Sequence, residues 1–123
     1  MFCNLNLRNI KARFFSIGSD QMISYTDNVR LLLKAAETSR FLHALANESR
    51  LKIVCSLIAS EKSVNDIADS INASQSATSQ HLKLLRSQNI VTTRRSQQTI
   101  YYSISSSQVR NILSELSKCT FRN

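Results

Sequence analysis

The apolar residues of this chain change their repeat twice, and those changes restrict its fold more than any other feature. Up to Asn89 they recur at intervals of three and four. From Ile90 to Ile104 the period is two, and from Val109 to Leu116 it returns to three and four. Side chains three or four apart share a face of a helix, whereas alternate residues share a face of a strand. The order is therefore several helices, a two-stranded ribbon and a closing helix. Proline is absent and Gly18 is the only glycine, which favours a mostly helical chain with few turns that need positive φ.

A first helix is predicted from about Thr26 to Ala46, capped by Thr26 or Asp27, with Val29, Leu32, Leu33, Ala36, Phe41, Leu42 and Leu45 at helical spacing. A second runs from about Glu48 to Ala59, with Asn47 as its cap and Leu51, Val54, Cys55 and Ile58 as its stripe. Ser63-Val-Asn-Asp66 is a capping signal that opens a short helix carrying Val64, Ile67, Ala68 and Ile71. After Asn72-Ala73-Ser74 comes a helix to Arg86 with Ala77, Leu82 and Leu85 facing inward. Two short helices joined by so brief a turn make a helix-turn-helix, the second element being the reader. Ile90–Arg95 and Thr99–Ile104 form a hairpin about Ser96-Gln97-Gln98. The last helix, about Ser107 to Lys118, has Val109, Ile112, Leu113 and Leu116 on one stripe. The expected fold is mainly α with a two-stranded β wing, a winged helix-turn-helix.

Charge points to the partner. The chain carries a net +8, and from Ser70 to Ser114 it has no acidic residue, while Lys83, Arg86, Arg94, Arg95 and Arg110 all fall inside that span. Such segregation suits a polyanion, because neutralising phosphates releases condensed counterions. On the reader helix the short neutral side chains stand at the front and the cations toward the end, which suits base edges flanked by phosphates. The candidate DNA-contacting set is Gln75, Ser76, Thr78, Ser79, Gln80, His81, Lys83 and Arg86, with Arg94 and Arg95 beside the hairpin tip. A basic face that is merely solvated is the competing reading. A membrane surface fits less well, since no basic helix sets aromatics opposite its charges.

At 123 residues the chain is read as one domain over 23–119, with tails over 1–22 and 120–123. The N-terminal tail reads as a disordered arm or as an over-long start with Met22 as initiator; it lacks the apolar core and cleavage site of a signal peptide. No apolar run is long enough to span a bilayer, and a cytoplasmic location is expected. Cys3, Cys55 and Cys119 are too few and scattered for a secreted disulfide scaffold, and no CxxC or Cys/His cluster suggests zinc. Neither a metal nor a cofactor is expected. An enzyme is not expected either: His43 and His81 are the only histidines, and no nucleophile, base and orienter converge.

Three phrases in order, Phe41-Leu-His-Ala-Leu-Ala-Asn-Glu-Ser-Arg-Leu-Lys-Ile53, Ser74-Gln-Ser-Ala-Thr-Ser-Gln-His-Leu-Lys-Leu-Leu-Arg86 and Tyr101-Tyr102, closely resemble the ArsR/SmtB family of bacterial repressors. The match covers roughly Asp27 to Lys118. The resemblance implies a homodimer paired through its first and last helices, with each reader helix entering half of an inverted-repeat operator. Carried over by position, Gln75, Ser76, Ser79 and Gln80 face bases, Lys83 faces phosphate, and Arg94 and Arg95 serve the wing. His81, within the family's Ser-x-His-Leu phrase, is expected to pack or hydrogen-bond locally before it reads a base. The wing lacks the glycine that many relatives use at its tip. The cysteine-rich phrase of the family's arsenic, cadmium and lead sensors is missing, and so are the histidine and acidic pairs that zinc and nickel sensors carry in the last helix.

Within the family, Cys55 in Ile53-Val-Cys-Ser-Leu57 matches the first cysteine of the sulfide- and persulfide-responsive branch of SqrR-, BigR- and HlyU-like repressors. Cys119 departs from the branch, coming two residues before its second cysteine, which is about 200° around a helix. It nevertheless continues the stripe Ile112, Leu116. The resemblance implies a thiol switch in which Cys55 and Cys119 are joined by a disulfide or a longer sulfur chain, emptying the operator. Cysteine as a small buried hydrophobe remains open beside it, as does a metal or another inducer.

Overall fold

A computed structural model describes residues 25–119, so the expected tails over 1–22 and 120–123 lie outside the described residues. The chain to Lys34 and the chain from Ala35 form two units. In the first, helix α1 spans Tyr25–Leu33, and Lys34 closes its last turn by donating its N–H to the Arg30 carbonyl at 3.1 Å. The long helix expected over 26–46 is thus two, the second being α2 (Ala35–Leu45). Nothing in the local sequence accounts for the break, since neither proline nor glycine stands near it.

The second unit continues with α3 (Glu48–Ser56), β1 (Lys62–Ser63), α4 (Val64–Ile71), α5 (Gln75–Ser87), β2 (Val91–Ser96), β3 (Thr99–Ile104) and α6 (Ser107–Lys118). Its helices α3 to α6 start where short polar side chains offer an acceptor to the free amides of the first turn. Asn47 accepts from the Arg50 N–H at 3.1 Å, and Ser74 accepts from Ala77 at 3.2 Å. Ser63 and Asp66 form the expected reciprocal capping box.

Two helices end in the same way. Asn72 lies in the left-handed region at φ 54°, its N–H donating to the Asp69 carbonyl while Ala73 donates to Ala68 at 3.0 Å. Asn89, at φ 55°, repeats the pattern: its N–H meets the Arg86 carbonyl, and Ile90 donates to Leu85. These are Schellman closures, and asparagine occupies the position glycine usually takes because its short polar side chain tolerates that conformation. They start the turn between α4 and α5, which Ser74 ends, and the turn from α5 into the wing.

The core gathers Ala44 and Leu45, then Ile53, Val54 and Leu57, then Ile67, Leu82, Leu85, Ile90, Val91, Ile104, Val109 and Leu113. The stripe of α3 is therefore rotated from the expected one. Ile53, Val54 and Leu57 are buried, while Cys55 and Ile58 face outward and Leu51 is half-buried. On α6, Val109 and Leu113 reach the core and Leu116 does not. The wing is a hairpin as expected, but β1 pairs with β3 on the other edge, so the sheet has three strands in the order β1-β3-β2.

Candidate nucleic-acid interface

Helix α5 carries its buried residues at Thr78, Leu82 and Leu85, four and three apart. That phase differs by one position from the one expected. Thr78, included among the DNA-facing residues, is fully buried, whereas Ala77, expected inside, is exposed. A hydroxyl and a methyl on Cβ make threonine nearly the shape of valine, so at this position it packs as an apolar residue would. Its Oγ1 is buried and finds no hydrogen-bond partner. Thr78 is removed from the candidate interface.

The other polar side chains lie outside. Gln75, Ser76, Ser79, Gln80, Lys83 and Arg86 are exposed, and His81 is half-buried. Ser76 Oγ stands 3.4 Å from Ser74 Oγ. Among the described residues, the side chains of Gln75, Ser79, Gln80, Lys83 and Arg86 have no protein partner, so their donors and acceptors are free for an external one. The helix begins at Ser74 with no acid in its first turn and ends with Arg86 in its last. Its positive N-terminal end is therefore left unneutralised by carboxylates, a favourable setting for phosphate.

The two wing arginines separate. Arg94 Nε donates to Glu61 Oε2 at 3.1 Å and its Nη2 donates to Glu61 Oε1, a two-pronged contact across 33 residues of sequence. The same guanidinium lies over the Tyr101 ring, 5.2 Å from its centroid. This pairing holds the Glu61 carboxyl below its ordinary pKa, chiefly through the hydrogen bond from Arg94, and raises that of Arg94. Arg95, next to the Gln97–Gln98 turn, donates only from Nε to the Gln97 carbonyl at 3.2 Å and is otherwise exposed. Glu61 lies outside the acid-free span, so sequence reasoning gave no warning that Arg94 was engaged.

Among the described residues, Cys55 and Cys119 are both free and both exposed. Cys55 faces out from α3. Cys119 has extended backbone as the cap residue after α6, its Sγ 3.5 Å from the Glu115 carbonyl, so the stripe through Ile112 and Leu116 stops before it. Arg110 Nη1 donates to the Ile58 carbonyl at 2.7 Å, tying the start of α6 to the segment after α3. Among the described residues no group of three or more His, Cys, Asp or Glu side chains could hold a metal ion, and no helix is long and apolar enough to cross a membrane.

Comparison with known proteins places this geometry among regulators. Residues 47–93 match the family described as bacterial regulatory protein, arsR family. The chain is 54% identical over 77 residues to nodulation protein NolR of Rhizobium meliloti, and the match spans 63% of that relative, just under two thirds. It is 42% identical over 79 residues to transcriptional activator HlyU of Vibrio cholerae, covering 64% of this chain and 73% of the relative. The crystal structure of the transcriptional repressor BigR from Xylella fastidiosa superposes with a TM-score of 0.69 at 29% identity, covering 76% of this chain and 98% of that one. A homodimeric winged helix-turn-helix DNA-binding domain from Mycobacterium bovis superposes with a TM-score of 0.65 at 25% identity, covering 82% and 87%.

Proposed function

The chain belongs to the arsR family of bacterial regulatory proteins, and from that premise we propose that it is a homodimeric repressor whose two α5 helices read an inverted-repeat DNA operator. One observation carries the reading: the outer face of α5 presents Gln75, Ser79, Gln80, Lys83 and Arg86 with no partner among the described residues. Short amides and hydroxyls match base edges in the major groove, and the cations at the end of the helix match phosphate. Twofold pairing suits an operator with two half-sites about one helical turn apart. The exposed Leu31, Leu32 and Leu33 of α1 and Leu116 of α6 supply apolar surface for the pairing. The homodimeric neighbour from Mycobacterium bovis supports it, and the likeness to the repressor BigR supports the sign of regulation.

Titration of a duplex selected by the protein from a random pool, followed by fluorescence anisotropy at several salt concentrations, tests this. Tight binding to an inverted repeat, falling steeply with salt, is expected. Equal affinity for any duplex, or none at moderate salt, refutes it.

Release from DNA is assigned to Cys55 and Cys119, two free and exposed thiols in a molecule that would work in a reducing cytoplasm. One thiolate takes the outer sulfur of a small persulfide and expels the carrier thiol. The other thiolate attacks the first residue's own Sγ and expels the outer sulfur as hydrosulfide, leaving a disulfide; a second sulfur transfer before closure leaves a longer chain. Closure bends the segment that Arg110 ties to Ile58 and shifts the spacing of the paired readers. A direct disulfide needs Cα atoms within about 7 Å, and added sulfur lengthens the reach. Cys55→Ser and Cys119→Ser are each expected to bind the operator as the parent does and to remain bound in persulfide. Undiminished release in both variants, or no cross-linked peptide by mass spectrometry, rejects the switch.

A further inference from the structure

The contact between Glu61 and Arg94 has a geometry that an isolated surface ion pair lacks. Register places Arg94 opposite Tyr101, and Ser63 opposite Tyr101 on the other edge of β3. Residues directly opposite, and those two apart on a strand, share one face of a sheet. Arg94, Tyr101, Ser63 and Glu61 therefore lie on one face, and the guanidinium reaches from β2 across the ring on β3 to the carboxylate just before β1. Arg95 pairs with Ile100 and belongs to the opposite face, beside the hairpin turn.

Resting on the reading of the chain as a DNA-binding dimer, we infer that Glu61 and Arg94 are positioning residues that strap the three strands together and aim the wing, while Arg95 is the wing residue that meets phosphate. Three observations support the division. Arg94 spends its forked donors on Glu61, a bidentate arrangement that fixes geometry as well as charge. Its ring contact with Tyr101 adds a second attachment on the middle strand. The strap also answers a mechanical need: β1 is only two residues long and the hairpin turn is two residues, Gln97 and Gln98, with Gln97 at φ 55°. So slight a ribbon gains stiffness from a side-chain tie that crosses it. Glu61 reaches the wing from the segment after α3, which links the wing's aim to the body of the protein.

The test compares a charge-neutral double variant, Glu61→Gln with Arg94→Gln, against Arg95→Gln, in the full-length protein on the duplex selected above. For the double variant, amide hydrogen exchange across residues 91–104 is expected to quicken about tenfold and operator binding to weaken about fivefold, with the slope of log K against log salt unchanged. For Arg95→Gln, exchange in the wing should stay as in the parent, while the slope falls by about 0.9 per protomer. If the double variant instead lowers the slope as Arg95→Gln does, Arg94 is a phosphate contact and the division of roles is wrong. If the double variant changes neither exchange nor affinity, the strap is idle and the inference fails. A parent protein that ignores the duplex altogether defeats the DNA-binding reading, and the exchange measurement then decides on the strap alone.

Discussion

Thr78 occupies the middle of the inner face of the reader helix with a hydroxyl that nothing satisfies. A buried hydroxyl without a partner is destabilising, while an apolar group of the same shape relieves it. Thr78→Val is therefore expected to raise the unfolding free energy by about 1 kcal/mol, read by urea titration, and to leave operator affinity within about twofold. A loss of binding at unchanged stability would return Thr78 to the interface. Gln80, exposed and free, has the opposite profile. Gln80→Ala should leave stability as it is and cost about 1–3 kcal/mol of discrimination at one base pair of each half-site, measured with single-mismatch duplexes. The phase of α5 lies one position from the one its sequence suggests. Neither alanine nor threonine is strongly apolar, so Ala77 and Thr78 give a weak signal; Leu82 and Leu85 belong to both phases, and only packing against the body decides.

At the scale of elements, caps and turns were legible wherever the chemistry is local. Asn47, the Ser63–Asp66 box and the break at Asn72-Ala73-Ser74 all need only neighbours within a few residues, and all stand where the sequence placed them. What sequence could not supply was nonlocal. Lys62-Ser63 has no strand pattern of its own and becomes β1 only by lying beside Tyr101 and Tyr102. The partnership of Glu61 with Arg94 spans 33 residues and contradicts the charge pattern that suggested Arg94 was free. The capping box carries a pH dependence. The hydrogen bond from the Ser63 hydroxyl, then that from its backbone, hold the Asp66 carboxyl below the usual range. A lowered folded-state value means that the stabilisation is complete above the unfolded carboxyl's pKa, about 3.9, and is lost as pH falls through the folded value. Asp66→Asn should therefore melt below the parent at pH 7, and the two melting curves should converge as the pH is taken below 4. After the C-terminal end of α5, Asn89→Ala puts a Cβ into the left-handed region without asparagine's local hydrogen bonding and is expected to cost about 1 kcal/mol, whereas Asn89→Gly is tolerated.

Across the whole molecule the described charge and apolar surfaces have different work to do. Lys83, Arg86 and Arg95 are exposed and without an acidic partner, while Arg94 is offset by Glu61, so the salt dependence of binding should reflect fewer phosphates than the raw count of arginines suggests. Leu116 on α6 is exposed at 41% and Leu33 on α1 at 82%, values that suit surfaces covered by a second copy. Leu116→Lys is expected to shift the protein toward monomer in sedimentation velocity and to reduce operator affinity at least about tenfold, because a single half-site contact forfeits the linkage between the two readers. A dimer of undiminished strength in that variant would move the pairing surface elsewhere. The bare leucines have one more implication, for the cell rather than the test tube. Where pairing is incomplete, the population of duplicate molecules rises with the square of copy number, so halving the supply of chain leaves about a quarter of the active form. On the proposed pairing, the regulator would therefore grow scarce on DNA faster than it grows scarce in the cell.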